Sequence, residues 1–183
     1  MVTDSQLVDR LKVGDEQAFA ALYERYSEVL LHHLVCMVGK NEVAEELLHD
    51  IFMIMLAKIN FYQEDRTLKN SFKAWLFRIS TNRAIDEIRK YKNIKFEETK
   101  NETVDGSEME ASYEKKWRDK KIQELLIQLP LVQRTFLNLK LNNELSHFEI
   151  ARICSCQVNT VKQGLFQARK SLKNMLLIEG VEL

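Results

Sequence analysis

Proline occurs once in this chain of 183 residues, at Pro130, and glycine only five times. An all-β fold needs a turn signal roughly every ten residues, and this sequence cannot supply them. Long stretches without either residue are suited to helices, and the apolar residues follow helical spacing. Ala18, Phe19, Leu22, Tyr23, Tyr26, Val29, Leu30 and His33 make one amphipathic face. Val43, Leu47, Leu48, Ile51, Phe52, Ile54, Met55 and Ile59 make a second, wide enough to be central. After a polar break from Phe61 to Asn70, Ser71 can cap a third helix that repeats Phe72, Trp75, Leu76, Ile79, Ala84, Ile85 and Ile88. With 45% hydrophobic residues the chain can bury an ordinary core.

Helical text fails between Asn93 and Ser112, which is acid-rich and contains Gly106. Such a stretch reads as a flexible linker with a domain boundary in it. Beyond it, helices are expected from about Tyr113 to Leu129 (stopped by Pro130), over Leu131–Leu141, over Ser146–Ile153, and from Val158 to about Leu177. The fold expectation is all-α: two small helical domains, 1–92 and 113–183, joined by a flexible acidic linker at 93–112.

Net charge is zero, with 27 basic and 27 acidic residues, but the charges are segregated. The balance is −5 over residues 1–70, +5 over 71–95, −6 over 96–114 and +6 over 115–183. Two basic blocks on helical text, separated by an acidic one, suggest several charged partners. No run of 18 apolar residues occurs, so membrane insertion is not expected. Three cysteines, with no signal-peptide pattern at the start, lead to an expectation of reduced thiols and a cytoplasmic location. His147, Cys154 and Cys156 cluster, but three ligands fall short of a structural zinc set, and the two thiols read as small core hydrophobes. No metal and no cofactor is expected. Phosphate-loop, Gly-x-Ser-x-Gly and His-Glu-x-x-His patterns are absent from the sequence, so the chain is not read as an enzyme.

Ser146-His-Phe-Glu149 is a capping box opening a short helix. A brief turn, Cys154 to Gln157, leads to a longer helix with Val161, Leu165, Ala168 and Leu172 on one face. The opposite face carries Asn159, Lys162, Gln163, Phe166, Arg169, Lys170 and Lys173. This is helix-turn-helix spacing, whose second helix enters the DNA major groove; a plain three-helix bundle has similar spacing. Lys and Arg there suit phosphates or guanine edges, and Asn and Gln suit adenine.

Residues Leu129 to Leu172 resemble region 4 of bacterial sigma factors. The resemblance rests on Leu129-Pro130, Arg134, Leu145-Ser146, Glu149-Ile150-Ala151, Thr160-Val161-Lys162 and Ala168-Arg169. Other helix-turn-helix regulators share the Glu-Ile-Ala and Thr-Val-Lys parts, and the N-terminal half decides between them. Gly14 to Tyr26 is similar to sigma region 2.1, Ala44 to Phe52 to region 2.2, and Ser71 to Lys90 to regions 2.3 and 2.4. With regions 2 and 4 alone, the chain resembles an extracytoplasmic-function (ECF) sigma factor.

The resemblance implies a protein that binds RNA polymerase core and directs promoter-specific initiation. It implies docking on the clamp of the largest subunit through Glu42, Glu45, Glu46, His49 and Asp50, and a contact with the flap of the second-largest. Region 2 would contact promoter DNA, duplex and melted strand, through Tyr62, Arg66, Asn70, Lys73, Arg78, Asn82, Arg83, Asp86, Arg89 and Lys90, with the loop from Tyr62 to Asn70 receiving a flipped base. Region 4 would use Arg134, Asn159, Thr160, Lys162, Gln163, Phe166, Gln167, Arg169 and Lys170 on the distal duplex. An anti-sigma partner is implied too. The alternatives are a stand-alone helix-turn-helix regulator and a helical interaction protein without DNA binding. Three departures stand out: Gly164 where the family usually has Arg, Gln167 where it often has a basic residue, and Ser155 where a turn glycine is frequent. Gly164 is read as a tolerated loss of a phosphate-binding Arg, close packing being the rival account.

Overall fold

The computed structural model describes residues 2–97, 123–141 and 145–179, and among them no strand occurs. A first cluster contains α1 (Asp4–Lys12), α2 (Glu16–Val38), α3 (Asn41–Lys58), a single 3-10 turn (Ile59–Phe61) and α4 (Ser71–Glu97). A second contains α5 (residues 123–128), α6 (Leu131–Leu141), α7 (His147–Ile153) and α8 (Val158–Ile178). The all-α architecture of two helical clusters is as expected from the sequence. α4 runs past Asn93 to Glu97, because no glycine or proline stops it where the linker was expected to begin. The rest of that linker lies outside the described residues.

Local signals set the helix ends. Thr3 and Gln6 form a reciprocal capping box on α1. Gly14, at φ 86, separates α1 from α2, a break the sequence reading did not resolve. Asp15 caps α2 by accepting from the amides of Gln17 and Ala18, and Gly39, in the left-handed region at φ 81, closes it. Ser71 does something other than cap. Its hydroxyl accepts from the Asp65 amide at 2.7 Å and from the Tyr62 hydroxyl at 2.9 Å, pinning the preceding loop onto the start of α4.

α2, α3 and α4 pack on one another around Leu22, Leu30, Leu34, Leu47, Ile51, Met55, Leu76 and Phe77, all buried. α1 lies across α2, held by Asp4, which pairs with Arg25 and accepts from the Tyr26 hydroxyl. Tyr23 and Val29, expected on the buried face of α2, are exposed. α4 instead buries Ser80 and Thr81 in its core stripe, where the Thr81 hydroxyl lies 3.2 Å from Nε2 of the fully buried His33.

In the second cluster α6 is buried at six consecutive positions, Arg134 to Leu139. A helix covered all round has neighbours on both sides. α8 takes one face of α6, and α2 of the first cluster takes another. Asn138 donates to the His33 carbonyl at 2.9 Å, the Thr135 hydroxyl lies 3.6 Å from the Met37 sulfur, and Ile127 packs at Gly39. The two clusters share one continuous core.

Candidate nucleic-acid interface

The helix-turn-helix forms as its sequence dictates. Ser146 and Glu149 make the capping box, and the amides of Cys154 and Cys156 close the turn by donating hydrogen bonds of 2.9 and 3.0 Å to the carbonyls of Ile150 and Ala151. Ser155 occupies the left-handed region at φ 52, the conformation that a glycine takes without strain. α8 buries Val161, Leu165 and Ala168 and exposes Asn159, Thr160, Lys162, Gln163, Phe166, Gln167, Arg169 and Lys170. Phe166 is 65% exposed, an unusual position for a large apolar ring. Lys162, Arg169 and Lys170 form no ion pair with any described residue, leaving this face strongly cationic. Burial, and then the cations Lys140, Lys162 and Arg169, hold the His147 imidazole below its ordinary range.

Gly164 corrects the sequence reading. A Cβ placed there would lie 2.5 Å from Cδ2 and 2.7 Å from Cε2 of Phe136, whose ring is buried in the core. The glycine is a notch that seats α6 against α8, so close packing, and not tolerated loss, accounts for it. Arg134, grouped by the resemblance with the DNA contacts, stands on the far side of α6. It is 7% exposed, donates to the Ile127 carbonyl at 3.5 Å, and forms no ion pair among the described residues.

In the first cluster the loop from Tyr62 to Asn70 is built from its own side chains. Tyr62 is buried against Phe72 and Trp75 with ring centroids 5.6 and 5.0 Å away, and Lys12 reaches its carbonyl at 2.9 Å. Asp65 accepts from the amide and hydroxyl of Thr67, which, with Arg152, holds its carboxyl below the usual carboxylate range. Arg66 and Asn70 point outward, and Lys73 sits half-buried at the base of the loop. Along α4, Asn82 is exposed, while several cations are engaged within the chain. Arg83 pairs with Asp50, Arg89 with Asp86 at 3.7 Å, Lys90 with Glu87 at 3.2 Å, and Arg78 donates to Ser155 at 3.3 Å.

α3 carries the acidic edge. Glu42, Glu45, Glu46 and His49 are exposed, whereas Asp50 is half-buried by its bond to Arg83. The same stripe continues through Met53 and Leu56, 55% and 36% exposed, which the sequence reading assigned no role. Positions 42, 46, 49, 53 and 56 alternate steps of four and three, the spacing of a seam made for another helix. That signal was present in the sequence but was masked by the general apolarity of α3.

Among the described residues no three His, Cys, Asp or Glu side chains converge to hold a metal. Burial pushes the Cys154 thiol up to about 12. No described helix is long and apolar enough to cross a membrane.

Comparison with known proteins converges on one family. The family model for Sigma-70 region 2 matches residues 22–94, and that for Sigma-70 region 4 matches residues 119–172. The chain is 29% identical over 180 residues to the ECF RNA polymerase sigma factor SigW of Bacillus subtilis, covering 92% of this chain and 94% of that protein. It is 27% identical over 184 residues to the RNA polymerase sigma-H factor of Pseudomonas aeruginosa, covering 94% and 93%. Among solved structures, CnrH in complex with the cytosolic domain of CnrY shares the fold at a TM-score of 0.70 and 19% identity, over 94% of this chain and 96% of that one. The sigma factor RpoE in complex with the anti-sigma factor NepR from Bartonella quintana does so at 0.70 and 21%, over 87% and 97%.

Proposed function

This chain belongs to the sigma-70 family, as an ECF sigma factor that binds RNA polymerase core and directs transcription initiation, and on that premise we propose how its surfaces divide the work. Sigma factors are not enzymes; the polymerase does the chemistry. The α3 seam docks on the polymerase clamp, its acids giving orientation and on-rate and Met53 and Leu56 supplying apolar contact. α8 reads the distal promoter element in the major groove, with Lys162, Arg169 and Lys170 on phosphates and Asn159, Gln163 and Phe166 toward base edges. The loop from Tyr62 to Asn70, with Asn82 on α4, takes a base from the melted element. An anti-sigma factor binds the protein, as NepR binds the sigma factor RpoE, and region 4 meets the polymerase flap.

The observation carrying this division is the contrast between α3, which exposes acids and apolar side chains, and α8, which exposes cations and amides. Run-off transcription with core enzyme tests it. Glu45→Lys with Glu46→Lys is expected to abolish core association at unchanged helical content, whereas Asp50 is left alone because its bond to Arg83 joins α3 to α4. Normal run-off from the double variant would remove the clamp assignment.

A further inference from the structure

Burying a guanidinium is costly unless an anion meets it, because the charge loses its water and its N–H donors still need acceptors. Arg134 is buried on those terms and has no such anion among the described residues. Its one hydrogen bond there is the 3.5 Å contact with the Ile127 carbonyl, and its Nε, shut off from solvent, has no acceptor at all. Burial draws the guanidinium below its ordinary range, and only the Cys36 sulfur opposes that shift. That sulfur is not an anion near neutral pH, since its own burial pushes the thiol up to about 11.

The same side chain lines a cavity of about 800 Å³ where the ends of α2 and α4 meet the start of α6. Met37, Val43 and Ile88 supply apolar wall from the first cluster, and Ile127, Leu129 and Leu131 supply it from the second. Lys40 and Tyr91 also line it, both exposed, with the ammonium 5.9 Å from the ring centroid. Two cations therefore line an apolar chamber whose described walls hold no carboxylate. Its volume lies in the range that holds a small organic molecule. A duplex phosphate cannot reach the guanidinium past those walls, and an inorganic anion would leave them uncovered. We propose that this cavity binds a small-molecule carboxylate with a flexible apolar tail, the carboxylate paired with Arg134 and the tail lying against Met37, Val43 and Ile88. The planar guanidinium offers parallel N–H bonds to both carboxylate oxygens, and Lys40 draws the anion inward. The site is independent of the DNA and polymerase assignments. Because its walls come from both clusters, the ligand bridges them.

Calorimetric titration of the full chain with decanoate, below its micelle concentration, tests the site. Saturable binding is expected, with a melting temperature that rises with ligand concentration by mass action. Decanol keeps the tail without the charge, and acetate keeps the charge without the tail; each is expected to bind at least about tenfold more weakly. Arg134→Met is expected to weaken decanoate by a similar factor. The unliganded variant should melt no lower than wild type, since an apolar side chain replaces an unpaired buried charge. An arginine that served structure alone would lower that melting temperature and leave decanoate affinity unmoved. Ile88→Trp, which narrows the chamber and keeps the guanidinium, is expected to weaken decanoate as well. Equal affinity for decanoate and decanol, or affinity indifferent to Arg134→Met, would overturn the carboxylate pairing. Binding indifferent to Ile88→Trp would remove the ligand from this cavity. The absence of saturable binding to wild type, whether a second copy or another part of the chain holds the guanidinium, would overturn the proposal outright.

Discussion

α4 and α8 are both long helices with cations along an exposed face, yet they present different electrostatics. On α4, Arg83, Arg89 and Lys90 are matched by carboxylates of the same chain and Arg78 by a hydroxyl. On α8, Lys162, Arg169 and Lys170 have no carboxylate partner among the described residues, and the neighbouring His147 is held below its ordinary range by burial and by these cations. A phosphate approaching α8 meets charge already available; one approaching α4 must first compete with Asp50, Asp86 or Glu87. Counting lysines and arginines alone would rank α4, with seven, above α8, with four. The pairing separates them: α8 offers open cations, as the proposed duplex-binding surface needs, and α4 is first of all a packed strut.

The largest expected effect breaks the comparison on the α8 side. Replacing Lys162, Arg169 and Lys170 with Ala should reduce the slope of log affinity against log salt by about 2.7, three phosphates at about 0.9 each, while the melting temperature holds. DNA titrations over a salt series check this, and an unchanged slope would mean the open cations are not phosphate contacts. Next comes the placement of α8 itself. Gly164→Ala should destabilise the chain by about 1–3 kcal/mol through overpacking on Phe136, and Phe136→Leu in that background should recover part of the loss. Denaturant melts report both, and a stabilised Ala variant would reinstate the tolerated-loss account.

A third expectation concerns acid. Burial pushes His33 down to about 3, against which the Asn138 side chain works in the opposite direction. The unfolded chain therefore takes up this proton first, so the contribution is intact above about pH 6.5 and is lost as pH falls toward 3, at about 1.4 kcal/mol per pH unit. Denaturant midpoints against pH should show this fall, flattened by one proton in His33→Gln. The smallest effect sharpens the contrast from the α4 side. Arg83→Ala should cost at most about 1 kcal/mol and leave the salt slope unchanged; a drop of about 0.9 would show that Asp50 yields this guanidinium to DNA.

Most of the fold was legible because local chemistry dictates it. Pro130, the Ser146–Glu149 box and the apolar rhythm place α6, α7 and α8 within a residue or two. What escaped was long-range. Thr81 and Asn138 are polar, so an apolar count leaves them out of a core in which they meet the ring and the carbonyl of the buried His33. Tyr62 was read as a DNA contact from its place in the loop, and the structure puts its ring beneath that loop among Phe72 and Trp75. Gly164 showed that something was unusual on α8, but a glycine cannot say from sequence alone whether a ring presses on it. Phe136, twenty-eight positions earlier, supplies that answer. Arg134 matched a motif, yet which side of α6 it occupies depends on α2, a helix from the other end of the chain.

The Ser71 hydroxyl, bonded at once to the Tyr62 hydroxyl and the Asp65 amide, has a kinetic consequence. Ordering a loop residue costs on the order of 1–2 kcal/mol of backbone entropy, and here folding has met that cost before DNA arrives. On the proposed assignment of this loop to the melted element, a base leaving the duplex would find a formed receptacle, and capture would proceed as lock-and-key and not by a search of loop conformations. The rate of strand separation would then belong to the promoter: stacking and pairing at the melted step would set the pace, and two promoters read by the same loop would differ in speed as their own sequences do.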